Sequence, residues 1–241
     1  MIPPPLSSAR LLAFEEALSE QGLGPVGRLD AFRYDEVARA HGLPPLPSFG
    51  SPHRLGLVVA SSKSSWPPFL EALRGDPSLR DAEHPFDTWA RRCIEEAAQS
   101  LERPTAFRYP WEDGPRRVAF VRLAALAGLG SVGPTGLLVH PEHGPWLGLR
   151  GVVLVDAEPQ VPVSSRAASG PCEGCPAPCE DALQAASTAM GDGPAWRRWL
   201  AVRESCPVGR AARYGATQIR YHYTKERDVL RMASRAPSGE G

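Results

Sequence analysis

The sequence predicts an α+β fold: a mainly antiparallel sheet flanked by helices, followed by a helical, cysteine-bearing C-terminal part. Three observations predict it. Helix-periodic segments and short β-type runs interleave over the first 160 residues. Two apolar runs, 137–140 and 147–155, are joined by Pro141-Glu142-His143-Gly144-Pro145, which is built of turn-forming residues, so the pair reads as an antiparallel hairpin. Past residue 160 the composition turns to proline and serine, after which PCEGCPAPCEDAL opens a segment holding four of the five cysteines.

Taken in order, residues 6–20 place Leu11, Leu12, Phe14 and Leu18 at near-helical spacing and stop at Gly22. A proline-rich connection, 43–52, leads into 54–60, a strand-type run that the pattern places centrally. Residues 66–74 and 86–101 read as amphipathic helices, the second opened by Asp87, with Cys93 as a small buried hydrophobe. Residues 117–121 are too few to separate strand from helix, and the small residues that follow permit close backbone approach. In the last third, 180–190 and 195–204 read as a helical hairpin, and Tyr214, Gln218 and Tyr221 share one helix face. The expected organisation is a core over 1–160, a helical cap over 161–235 that completes a pocket, and a disordered tail over 236–241.

With 241 residues, 42% of them hydrophobic, the chain can bury one full core. Lys plus Arg and Asp plus Glu number 27 each, without a long run of either sign, which argues against a nucleic-acid partner or an electrostatic membrane anchor. The first residues carry no signal pattern and no apolar run approaches the ~20 residues of a membrane span, so a cytoplasmic protein, monomeric or weakly dimeric, is expected.

In a reducing compartment the cysteines suggest a metal or redox site rather than disulfides. Cys172, Cys175 and Cys179 form C-x2-C-x3-C, and Cys206 follows in a Cys-Pro pair, so four thiolates can converge if the two helices between them fold back. The spacing suits zinc or an iron-sulfur cluster, and an empty site remains a third reading.

Two stretches resemble known families. LAALAGLGSVGPTGLLVHPEHGPWLGLRG, followed by CEGCPAPC, is similar to the cobalamin-dependent epoxyqueuosine reductases, which have a comparable AGLGxxG loop, an exposed hairpin and then cysteine clusters. GLLVHPEHGPWLGLRGVVLV, with ARYGATQIRYHY, resembles the CblC family of cobalamin-processing proteins more closely, through an H-P-x-x-G-x-W turn, an Arg-Gly pair and a late RYxxxQxxY helix. The resemblance covers roughly residues 50–225, with gaps. It implies a nitroreductase- or flavin-reductase-like domain that holds cobalamin without its lower dimethylbenzimidazole ligand. The chain also departs from both patterns: the animal CblC members lack the cysteines, and the reductases have two full clusters and a catalytic acid with no counterpart identified here.

For the site, the resemblance implies cobalamin contacts from the loop glycines Gly128, Gly130, Gly133 and Gly136, from His140, His143 and Trp146 in the turn, and from Tyr214. A corrin ring needs a shallow apolar platform with close backbone donors, which such a loop supplies. Each histidine reads equally as an exposed turn residue, and Trp146 as packing. Arg150 stands on an otherwise apolar strand, where an unpaired guanidinium is expensive, so it needs an anion: a structural carboxylate or, as in CblC, that of glutathione, with Arg213 as a second thiol-binding residue.

The expected function is removal of the upper axial group of cobalamins, by thiol-dependent dealkylation and reductive decyanation, with transfer to a downstream acceptor protein. No protein nucleophile is required, and a flavin as electron source is left open. An epoxyqueuosine-reductase-like oxidoreductase and a non-catalytic cobalamin escort are the alternatives.

Overall fold

A computed structural model describes residues 3–159, 170–188 and 194–235. The expected division near residue 160 and the tail beyond 235 lie outside the described residues. The chain opens with helix α1 (Ser8–Glu20), whose first turn is capped by Ser7 Oγ accepting from the Arg10 amide, and which buries Leu11, Phe14 and Leu18. Strand β1 (Leu23–Asp30) and helix α2 (Ala31–Ala40) follow, with Asp30 capping α2 by accepting from the Phe32 amide at 3.0 Å. Then come β2 (Leu55–Ser61), α3 (Trp66–Gly75), the short α4 (Pro77–Asp81), α5 (Pro85–Ala97) and β3 (Thr105–Arg108). Residues 117–119 are irregular and α6 (Phe120–Leu126) starts within the segment that periodicity left ambiguous.

The main sheet runs β1-β2-β6-β3, all antiparallel, where β6 is Gly148–Val155. Its two central strands are buried on both faces. Leu57, Val59, Val153 and Val155 point to one side, into a core with Phe14, Phe69, Phe86 and Ile94 from α1, α3 and α5. Val58, Ala60, Val152 and Leu154 point to the other, against Tyr34 of α2 and Leu123 and Ala124 of α6. Helices therefore cover both faces of the sheet.

The expected hairpin between 137–140 and 147–155 is corrected by this topology. Leu138–Val139 forms β5, which pairs with β4 (Ser131–Val132) in a separate two-stranded sheet, while β6 pairs with β2 and β3. The turn is closed by the backbone exchange between His140 and Gly144, at 2.9 and 2.8 Å. The physical reason is burial: six consecutive residues of β6 are buried, which demands a strand neighbour on each edge and a helix layer on each face. The glycine-bearing loop meanwhile folds back to occupy β5.

After β6, α7 (Pro178–Thr188) packs on α8 (Ala195–Glu204), so the predicted helical hairpin is present. Helices α9 (Ala216–Thr224) and α10 (Arg227–Arg235) return to the first core, where Tyr221, Val229 and Leu230 join Phe69 and Phe86. The last two helices thus pack into the main core. The proline-rich connection is tied down by Arg54, 1% exposed, which donates to Asp35 and to the carbonyls of Leu46, Pro47 and Pro52 at 2.6–2.8 Å.

Candidate functional site

Three features meet where β6, the His-bearing turn and the C-terminal helices converge. The first is a cavity of about 250 Å³ lined by Arg150 of β6, Arg203 of α8, Lys225 at the end of α9, Tyr214, Tyr223 and His222, over Gly148. Arg150 is fixed within it: Nε donates to Ser61 Oγ at 2.7 Å, Nη1 reaches Asp87 at 3.5 Å, and the guanidinium lies 4.5 Å from the Phe86 ring centre. A Cβ at Gly148 would stand 2.3 Å from Arg150 Nη2, so glycine there leaves room for the guanidinium.

The charges in this cavity do not balance. Asp87 lies 3.5 Å from Arg150 and 3.7 Å from Lys225, and no carboxylate pairs with Arg203 among the described residues. Arg203 instead lies over the rings of Trp146 and Tyr223, and its Nε is buried without a partner among the described residues. Three cations thus face one carboxylate, an arrangement that favours an anionic ligand. Burial pushes the Tyr214 hydroxyl up, against the lowering by Arg150 and Arg203, so it stays protonated, and it donates to the Ser61 carbonyl at 3.4 Å.

The second feature is the loop over 128–136 with its adjoining turn. Gly130 is at φ +144, and a Cβ there would stand 2.4 Å from the Val139 carbonyl oxygen, so the loop can press against β5 only with glycine at this position. At Gly128 and Gly136 nothing lies within 4 Å of where a Cβ would be, so the backbone there borders open space. His140 and His143 stand with ring centroids 4.9 Å apart, and His140 Nδ1 accepts from the amides of Glu142 and His143 at 3.1 and 3.2 Å. These bonds place the remaining hydrogen of a neutral His140 ring on Nε2. Burial, then His143, pulls the His140 pKa down, which favours this neutral form. Trp146, 2% exposed, packs with Ala212, Tyr214 and Ile219.

The third feature is the cysteine cluster. Cys172, Cys175, Cys179 and Cys206 all line one cavity of about 20 Å³, walled by Gly133, Leu137, Val139, Val202 and Val208. The four are free thiols, and burial followed by the neighbouring cysteines pushes the Cys172 and Cys179 thiols up. Among the described residues no group of three or more His, Cys, Asp or Glu side chains is disposed to hold a metal ion. The convergence read from the spacing is present as a shared cavity; a closed coordination shell is not. The cluster is locked to the turn by backbone contact, since a Cβ at Gly209 would stand 2.2 Å from the His143 carbonyl carbon and one at Gly144 would stand 2.0 Å from the Val208 oxygen.

No family model matches the chain. Over 123 residues, 50% of its length, it is 31% identical to epoxyqueuosine reductase of Lactococcus garvieae (strain Lg2), of which it covers 34%. The crystal structure of the C. elegans B12-trafficking protein CblC, a human MMACHC homologue, aligns with a TM-score of 0.64 over 92% of this chain and 94% of that one, at 16% identity. The chain has the CblC fold.

On this CblC fold the predicted site residues divide. Arg150 and Tyr214 line the cationic cavity, and Gly133 lines the cysteine cavity with all four cysteines. Arg213 does not line the cavity: it is exposed, donates to Glu204 at 2.8 Å through Nε, and lies 5.9 Å from the Trp146 ring centre. Arg203, His222 and Lys225 were not foreseen. Their signal in the sequence is weak, because α8 and α9 lie far from β6 along the chain and nothing in their periodicity shows which faces meet. No described helix is long and apolar enough to cross a membrane.

Proposed function

We propose that the chain binds cobalamin as its substrate, removes the upper axial group, and passes the product on to an acceptor protein in the cytoplasm. The observation that carries this reading is the cationic cavity of Arg150, Arg203 and Lys225 in a chain with the CblC fold. The loop around Gly128, Gly130, Gly133 and Gly136 offers backbone against which the edge of a corrin can rest, with His140 and His143 at its border. Trp146 supports that border from beneath and does not offer a free face.

The cavity suits the carboxylates of a small thiol such as glutathione, held by Arg150 and Arg203 in charge-assisted bonds. Arg213 then acts through Trp146 and Glu204 rather than on the thiol. In dealkylation the thiolate sulfur attacks the cobalt-bound carbon; the S–C bond forms, the Co–C bond breaks with its electron pair on cobalt, and a thioether and cob(I)alamin result. The protein's part is to align the two partners and exclude water. Decyanation requires electrons from an external reductant, for which a reduced flavin is one source.

Anaerobic incubation with methylcobalamin and glutathione, read by mass spectrometry, tests this. S-methylglutathione formed in proportion to protein supports the enzyme, whereas bound cobalamin without any thioether would reduce it to an escort. A second reading is favoured by the cysteine cavity together with the reductase match. Four thiolates around zinc or an iron-sulfur cluster would make the chain a cobalamin-dependent oxidoreductase of the epoxyqueuosine-reductase kind. Iron and sulfide analysis of anaerobically purified protein separates the two.

A further inference from the structure

One group in the cationic cavity is at odds with its surroundings. His222 Nε2 is buried and has no hydrogen-bond partner among the described residues. Its ring is held edge-on to Phe86, with centroids 4.9 Å apart and an interplanar angle of 82°, and it also packs against Trp66, Tyr214 and Tyr221. A buried nitrogen without a partner costs about 1–3 kcal/mol, so the position is costly unless a ligand satisfies it. Arg150, Arg203 and Lys225, which line the same cavity, can only donate hydrogen bonds. With its hydrogen on Nδ1, His222 still needs an X–H donor at Nε2 when a ligand's carboxylates occupy those cations, and a thiol has one.

We propose that His222 is the proton acceptor for a carboxylate-bearing thiol bound in this cavity. The inference rests on the cavity being the thiol's, as argued above. The charged and titratable groups around the imidazole are Arg150 on β6, Arg203 on α8, Tyr221, Tyr223 and Lys225 on or at the end of α9, Tyr214 before it, and Asp87 on α5. Burial, followed by Arg150, Lys225 and Arg203, keeps the imidazole well below its usual range, so without ligand it is neutral, and the Nδ1–H tautomer presents its lone pair at Nε2. Arriving carboxylates offset the cations, and the basicity of His222 rises as the thiol binds. The S–H proton passes to Nε2, the thiolate takes the alkyl group from cobalt, and the imidazolium returns its proton to solvent on product release. The balance is one thiol plus alkylcobalamin giving one thioether, cob(I)alamin and one proton.

Dealkylation of methylcobalamin at saturating thiol by wild type, His222→Gln and His222→Asn tests this with two thiols near neutral pH. Glutathione, an alkyl thiol, arrives mostly protonated, whereas 4-mercaptobenzoate arrives ionised. Both variants are expected to lose roughly a hundredfold in rate with glutathione and little with 4-mercaptobenzoate. Equal losses with the two thiols, or no loss with glutathione, would overturn the role of His222 while leaving the dealkylase reading in place. In wild type the rate with glutathione should fall on acidification while that with 4-mercaptobenzoate holds. Coincident profiles overturn the proposal even if neither variant folds. Wild type inactive with both thiols would overturn the dealkylase reading and this inference together.

Discussion

Arg150 shows how much one residue's surroundings decide. The residue is 8% exposed, its guanidinium bonded to Ser61, placed over Phe86 and only loosely paired with Asp87, so part of its hydrogen-bonding capacity is left for a ligand. Arg150→Gln is expected to raise the glutathione concentration needed for dealkylation by roughly tenfold to a hundredfold, the worth of one charge-assisted bond, with the cobalamin spectrum unchanged. Parallel loss of thiol response, cobalamin binding and melting temperature would instead mark a structural arginine. His222 has a folded-state pKa well below its unfolded value of about 6.5. Below about pH 6.5 the unfolded chain therefore binds more protons, and stability falls as the pH drops. The melting temperature of wild type should decline from about pH 7 to about pH 5 more steeply than that of His222→Gln, and identical slopes would contradict the buried neutral imidazole. The need of Arg150 for an anion was readable from its apolar strand; the place of His222 was not, because residues next to Tyr221 on a helix carry no mark of the strand they will meet.

At the scale of elements, contacts between glycines and backbone hold the site's parts in register. Gly209 is at φ +70 and its missing Cβ lets the chain after Cys206 lie against His143. Gly209→Ala should cost more than about 1 kcal/mol, seen as a lower melting temperature, and should weaken cobalamin binding if the turn and the cysteine segment act together. An unchanged melting curve would show that the close approach is not needed. Cys175→Ser should release any metal held by the four cysteines and lower stability, measured by metal analysis and thermal melting, because metal binding and local folding are coupled. Protein that is metal-free and equally stable when fully reduced would leave the cysteines as packing residues. Sequence patterning found α1, the central strand β2, β6 and the α7–α8 pair. It did not find β1, where Gly24, Pro25 and Gly27 look like a loop, or α2, whose ten residues carry too little apolar periodicity. It also joined β5 to β6, since alternation and a good turn specify a strand and a reversal but not the partner; continuous burial of β6, visible only in the fold, decides that.

For the whole molecule, the sheet is a platform that brings β6 together with α8 and α9, which lie dozens of residues further along the chain. The buried Arg54–Asp35 pair fixes the connection between α2 and β2 far from that place. Asp35→Ala should therefore destabilise the fold by about 3–5 kcal/mol without altering the thiol dependence of whatever protein remains folded, as read from urea denaturation and from rates per folded molecule. A change in thiol dependence would mean that the two regions are coupled. The central claim, that this fold binds cobalamin with its lower ligand displaced, is tested most directly by titrating methylcobalamin with the purified protein and following the visible absorption. The account predicts a shift from the red base-on spectrum to the yellow base-off spectrum at neutral pH, saturating at one cobalamin per chain; a spectrum unchanged at saturating protein would contradict it.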